Sequence, residues 1–362
     1  MKKIIALLLS LLMLAGLTAC SGGGYEPVPS TDEEARVVMT LECEGKSYDV
    51  KYELYRALFL SHRDELDGGD RELWSGEGKD ELVEKINKMI IDDAAEIFGA
   101  LHLAESIGFD PYSAEVDGEI SEYVRVSIEG NGYDVAGVGS YEKYLEMLKE
   151  MNLNYSVSEL MIRYSIALKA INEYYAGKHD DALGLVGGKL EVSEEKVREY
   201  YFGDECVRVI RVYLTEDGEP SKRAEEIRDE IASMSSAEEI VANTIQYTTA
   251  EFDDVIAGVV VGRYAMSDDY DEYTEAAFAL RSGETSEVIH ITTGTERGCY
   301  ILYGIDKSEG HFENEKHYES IKASYIDNCI GKLLDTASKR LSESAEPTLS
   351  YSTISHGNIE ME

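Results

Sequence analysis

The side chains of this chain best suited to covalent or metal chemistry are five cysteines and seven histidines among 362 residues. Their spacing removes most of the reactions they could support. Cys43, Cys206, Cys299 and Cys329 lie far apart. They form no Cys-x-x-Cys pair and have no histidine at zinc-ligand spacing, so no metal site is expected. Each sits in an apolar strand- or helix-like run, where a buried free thiol is the common state. No structural disulfide is expected, although an oxidising compartment would permit one. His62, His102, His179, His290, His311, His317 and His356 are scattered. The spacing of His311 and His317 does not suit adjacent ligands on one helix, and surface histidine is the simpler reading. A hydrolase is disfavoured too, because the chain has neither a Gly-x-Ser-x-Gly nucleophile elbow nor a His-Glu-x-x-His pair.

The fifth cysteine, Cys20, stands in a different context. Lys2 and Lys3 give a positive start, residues 4–17 give a short apolar stretch, and small residues lead into Cys20, the three parts of an export signal. The stretch is shorter than the about 20 residues a membrane span needs. Leu17-Thr18-Ala19-Cys20 resembles the bacterial lipobox, in which the thiol is lipidated and the chain is cut just before it. That implies a protein held at the outer face of the cytoplasmic membrane, with 21–24 as a flexible tether. A plain secreted protein is the alternative. No later segment approaches a membrane span. The balance of 34 Lys+Arg against 72 Asp+Glu, net −38, repels nucleic acid and anionic lipid headgroups and keeps a tethered body soluble. Nucleic acid is therefore excluded as a partner.

The elements that would position any site follow from periodicity. Val-Val-Met-Thr-Leu-Glu-Cys-Glu-Gly-Lys-Ser-Tyr from Val37 reads as a hairpin turning at Gly45. Tyr52, Tyr55, Phe59 and His62/Arg63 then mark a helix that ends near Asp67-Gly68-Gly69. Leu82, Ile86, Ile90, Ala94, Ile97, Leu101 and Ala104 fall on one face of a helix over 79–107. Helices follow at about 112–128, 140–151 and 156–176, the last with the capping-box pattern Ser156-x-x-Glu159. Tyr141, Tyr144, Tyr155, Tyr164, Tyr174 and Tyr175 recur here. Two readings fit them, a peptide groove and packing between helices. After a loop over 177–188 and a short helix over 192–201 the character changes. Residues 206–214 read as a buried strand, 221–233 and a segment from Ser236-x-x-Glu239 as helices, 276–280 as a helical turn, and 286–291 and 299–305 as strands. This describes an α+β module of about 100 residues. Ile326, Ile330, Leu333, Ala337 and Leu341 place an apolar stripe on a helix over 315–343, which must pack on something. The residues after Ser344 are polar, and disorder is expected there.

This arrangement resembles the PrsA/SurA-like foldases, in which a helical chaperone domain surrounds a parvulin-type peptidyl-prolyl isomerase module. Tyr273-Thr-Glu-Ala-Ala-Phe-Ala-Leu-Arg-Ser-Gly-Glu-Thr-Ser-Glu-Val288 is similar to the parvulin pattern of an aromatic residue, a short helix, Gly-Glu-x-Ser and a strand. Gly262-Arg-Tyr264 resembles the glycine–aromatic step before it, and Gly298-Cys-Tyr-Ile-Leu-Tyr-Gly-Ile305 the closing strand. The resemblance implies an α+β protein that is mainly helical. It divides into a signal (1–19), a lipidated cysteine and tether (20–36), a helical chaperone domain (37–200), a parvulin-like module (201–309), a helix returning onto the N-terminal domain (310–343) and a polar tail (344–362). It implies unfolded exported polypeptides as partners and no cofactor.

The departures from the pattern bear on mechanism. Parvulins usually hold one histidine in the first strand and another in the last, buried side by side. On this pattern Arg211 stands at the first position and Tyr300 at the second, and they become the candidate catalytic pair. The residue that normally precedes the glycine-rich step has no counterpart; Thr248, Thr249 and Asp253 are only nearby polar residues. Tyr264, Met266, Tyr273 and Phe278 remain as an aromatic floor for a proline ring, with ordinary core packing as the competing reading. Prolyl isomerisation breaks no σ bond; its barrier of about 18–20 kcal/mol is lost amide conjugation. A catalyst grips the ring and stabilises the twisted amide electrostatically. Three functions compete: a chaperone with a changed or silent isomerase module, an active isomerase using Arg211 or Tyr300, and a lipoprotein that binds a solute or another partner. The last usually shows repeated βα units in two lobes, which this chain does not.

Overall fold

The computed structural model describes residues 25–76, 78–131, 136–177, 179–180, 185–186, 190–215, 220–234, 236–244, 258–264, 271–291 and 298–359. The Cys20 anchor, Met266, Thr248, Thr249 and Asp253 lie outside them. The chain is mainly helical, with small antiparallel sheets.

Strands β1 (Val37–Cys43) and β2 (Lys46–Lys51) pair as a hairpin. Glu44 and Gly45 both take positive φ, as a two-residue hairpin turn matched to strand twist requires. Helices α1 (Tyr52–Asp67), α2 (Lys79–Ser106), α3 (Ala114–Glu129), α4 (Tyr141–Glu150) and α5 (Tyr155–Tyr175) follow. Ser113, Ser140 and Asn154 accept the free backbone N–H groups of Val116, Lys143 and Val157 at three helix starts. Asn154, not Ser156, is thus the cap of α5. Ser156 lies inside the first turn and donates its hydroxyl to Glu53 at 2.8 Å. A two-stranded ribbon, β3 (His179–Asp180) and β4 (Leu185–Val186), falls within the segment read as a loop.

Helix α6 (Glu194–Phe202) leads into the second unit: β5 (Cys206–Thr215), α7 (Pro220–Ser233), α8 (Ala237–Thr244), β6 (Val259–Gly262), α9 (Asp271–Ala279), β7 (Ile289–Ile291) and β8 (Gly298–Gly304). Its four strands form one antiparallel sheet in the order β6-β5-β8-β7. On one face Ile210, Val212, Leu214, Cys299 and Ile301 form a core with Ala224, Ile227 and Ile231 of α7 and Ile240 of α8. On the other, Val209, Tyr300 and Leu302 pack with Tyr273 and Ala277 of α9.

The chain then returns through a short turn, α10 (Glu309–Phe312), into α11 (Glu315–Glu343). Ile330 and Leu341 of α11 enter the same core as Ile86, Ile90, Ile97 and Leu101 of α2. The approach is close: a Cβ on Gly99 would meet the backbone N of Ser338 at 3.0 Å. The apolar stripe of α11 is covered by the first helices of the chain. A fourth core, of Val197, Tyr200, Tyr201, Cys206, Val260, Phe312 and Ile321, fills the joint between the two units.

Residues 345–359 fold against the helical unit, where disorder was expected. Met39 and Thr40 of β1 pair with a short β9 (Glu346–Pro347). Ile359 is 3% exposed and lies in the helical core. Arg63, itself buried, donates to the Ile359 carbonyl at 2.8 Å. Sparse apolar residues and these polar contacts suffice because the surface they meet is preformed.

Candidate functional site

Register decides what the candidate catalytic pair can do. Along β5 and β8, Arg211 lies opposite Leu302 and Tyr213 opposite Tyr300. Opposed residues of antiparallel strands share a face. Arg211 and Tyr300 are therefore diagonal neighbours on one face, a relation that sets such residues about 7–8 Å apart. That face is the one α9 covers. Tyr300 is 0% exposed and Tyr273 4%. Tyr213 stacks on Tyr300 with ring centroids 4.7 Å apart, and Tyr273 meets Tyr300 edge-on at 5.6 Å. The rings of Tyr273 and Tyr300 occupy one another's space rather than lining an open cup.

The other floor residues divide. Phe278 borders this cluster, with the Arg263 guanidinium 4.2 Å above its ring. Tyr264 does not join it. Beyond the end of β6 the chain bends, and Arg263 reaches Phe278 while Tyr264 turns to α11. There the Tyr264 N–H donates to Asn328 Oδ1 at 3.0 Å, its backbone lies against Gly331, and Lys332 Nζ sits 5.8 Å from its ring.

That joint was not foreseen. Asn328, 1% exposed, also donates to Glu205 Oε2 at 3.0 Å, and Lys332 Nζ meets Glu205 Oε1 at 2.7 Å. A Cβ on Gly262 would lie 2.8 Å from the Tyr200 hydroxyl. The β6 strand is thus seated on the long helix through two glycines and one buried amide. The β-branched run Val259-Val260-Val261, just before the glycine–aromatic step, was the available signal for β6.

The chain matches no family model and no curated protein. It is similar to solved structures. PrsA from Bacillus subtilis is 14% identical, with 72% of this chain and 87% of that one covered and a TM-score of 0.26. The foldase protein PrsA from Streptococcus pneumoniae is 16% identical over 70% and 83%, with a TM-score of 0.27. The foldase protein PrsA from Lactococcus lactis is 16% identical over 87% and 96%, with a TM-score of 0.22.

The remaining chemistry-bearing side chains fall into structural settings. Cys43, Cys206, Cys299 and Cys329 carry free thiols, and burial pushes the Cys43, Cys206 and Cys329 thiols up. Cys299 Sγ lies 3.4 Å from His290 Nδ1, a pairing the sequence reading missed. It sits on the sheet face covered by α7 and α8 and is 2% exposed, so a substrate has no path to the sulfur. His311 and His317 do meet, stacked at 4.3 Å between ring centroids. Burial, with Arg208 and His317 nearby, holds the His311 imidazole down at about 3, so it is neutral at physiological pH. Among the described residues no group of three or more metal-binding side chains occurs, and no helix is long and apolar enough to cross a membrane.

Proposed function

We propose that the protein is an extracytoplasmic chaperone or foldase, tethered by a lipid on Cys20, that binds unfolded exported polypeptides and carries a catalytically silent isomerase-like module. One observation carries the reading of the module. The Tyr300 ring is enclosed by Tyr213 and Tyr273, and on the sequence pattern Arg211 and Tyr300 stand where parvulins usually hold histidine. A catalyst of this kind needs an open apolar cup and preorganised donors around a twisting amide. Here the aromatic rings serve the fold of the module, where packed pairs are worth about 0.5–1.5 kcal/mol beyond area burial. Binding then falls to the helical body. The packing of α11 against α2 supports this, because it joins the two ends of the chain in one discontinuous helical unit.

The test has two arms. In a protease-coupled assay on a proline tetrapeptide, the isomerisation rate should equal the uncatalysed rate. At a one-to-one ratio, aggregation of a chemically unfolded client should be suppressed. A clear rate that disappears in Arg211→Ala or Tyr300→Phe would make the protein an active isomerase. Unchanged aggregation would remove the chaperone reading. The tether is checked separately: Cys20→Ala should move the protein from the membrane fraction to the soluble one.

A further inference from the structure

A groove of about 550 Å³ runs along the first half of α2, beside the end of α11. Its apolar lining is Val83 and Ile91, partly buried residues at the margin of the helical core. Asp80, Glu84 and Asp92 edge it, against a single lysine, Lys88. These positions recur at helical spacing along one side of α2, which spans about 18 Å from Asp80 to Asp92 at 1.5 Å per residue. Extended chain covers that length with about five or six residues.

Two of the acids have a place in the fold and the third, Glu84, does not. Asp80 lies in the first turn, where the helix dipole favours an anion. Glu84 lies beyond that turn, and among the described residues no hydrogen bond or ion pair engages it. Among the described residues Asp92 accepts only the Ser342 hydroxyl, at 2.7 Å. The inner wall is held in place: the Tyr55 hydroxyl donates to Asn87 Oδ1 at 2.6 Å, and the Asn87 amide donates to the Tyr351 hydroxyl. The C-terminal segment therefore helps to build the groove.

We propose that this groove binds short extended segments of unfolded polypeptide in which an apolar run is flanked by lysine or arginine. The apolar lining takes the run, and the acidic edge takes the flanking cations. Acidic segments are repelled by the edge and by the net charge of −38. The proposal rests on the chaperone reading and names the class of sequence that reading would favour.

Fluorescence anisotropy on the full chain tests it, with labelled peptides that share a Leu/Val core and carry Lys, Ser or Glu flanks. The Lys-flanked peptide should bind about tenfold more tightly than the Glu-flanked one at low salt, the gap closing in high salt. Glu84→Lys, or the milder Asp80→Asn, should remove most of that preference, whereas the control Glu226→Lys, at an exposed position of α7, should leave it intact. Ile91→Ser should weaken all three peptides. Unchanged fluorescence of Trp74, the sole tryptophan, reports that each variant remains folded. Equal binding of Lys and Glu flanks, or a preference that Glu84→Lys does not alter, overturns the groove assignment. If aggregation suppression persists in that case, the chaperone reading survives; loss of all peptide binding together with all suppression sinks both.

Discussion

Replacing Asn328 by alanine cuts the joint between sheet and helix at its one buried amide. Asn328 accepts the Tyr264 N–H at 3.0 Å and donates to Glu205 at 3.0 Å. The first loss strands a partly buried backbone donor, which costs about 1–3 kcal/mol. The second is smaller, about 0.5–1 kcal/mol, because Glu205 keeps Lys332 at 2.7 Å and its exposed side rehydrates. The expected total is about 1.5–4 kcal/mol. Gly331→Ala attacks the same contact from the other side. Its Cβ would fall 2.8 Å from the Tyr264 carbonyl oxygen and 3.1 Å from the carbonyl carbon, backbone atoms that cannot swing away. Overpacking of about 1–3 kcal/mol outweighs the gain of up to about 1 kcal/mol in helix propensity. Because both changes act through Tyr264, the double variant should fall short of the sum by about 1 kcal/mol. Native-state hydrogen exchange reads the effect locally: protection should drop at Tyr264 and along β6, while Trp74, which belongs to the helical core, keeps its fluorescence. A loss below about 0.5 kcal/mol in Asn328→Ala, or strict additivity, would refute the claim that this amide seats the sheet on the helix.

Further outcomes follow from other contacts. Ile359→Ala should destabilise the helical core by about 2–4 kcal/mol in urea denaturation followed at Trp74, since the side chain is 3% exposed; no change would mean that the C-terminal segment does not hold its place. Asp67→Asn should cost about 1–3 kcal/mol. Burial alone would raise that carboxyl, yet hydrogen bonds from Trp74, Arg71 and the Gly69 N–H hold it below the usual range, and Trp74 Nε1 donates at 2.6 Å. A blue- or red-shifted Trp74 emission should accompany the loss. His311 is held near 3 in the fold against about 6.5 unfolded, so the unfolded chain binds the extra proton between these values. Stability should therefore fall as pH drops from about 6.5 towards 3, and His311→Phe should flatten that part of the curve. Parallel urea midpoints for the two proteins at pH 7, 5 and 4 would show that His311 does not titrate there.

Local rules account for what was legible in the sequence. The spacing of Leu82 to Ala104 located α2 because an amphipathic face repeats every three to four residues whatever it packs against. Ser236 was read as a cap, and its hydroxyl does accept the Glu239 N–H at 3.2 Å. The helix that opens at Asp271 was read as a turn from 276 because its early residues are polar and carry no apolar period. Ser156 looked like a cap by the same pattern that fits Ser236. Asn154 takes that place in α5, its Oδ1 accepting the Val157 N–H, while Glu53, a hundred residues earlier in the chain, accepts from both Asn154 and Ser156.

The sequence by itself determined the mainly helical α+β character, the β-branched density that makes β5 a buried strand, and the placing of Arg211 on β5 and Tyr300 on β8. These depend on residue type and on neighbours a few positions away. Only the tertiary structure decided that Arg211 and Tyr300 share a face, that Tyr300 is enclosed by Tyr213 and Tyr273, and that Tyr264 turns from Phe278 to meet α11. Register, burial and docking depend on which distant segments meet, and one step along a strand reverses the side on which a side chain lies. For the same reason the polar C-terminal segment became part of the helical core: its order comes from the surface it meets, which its own composition does not describe.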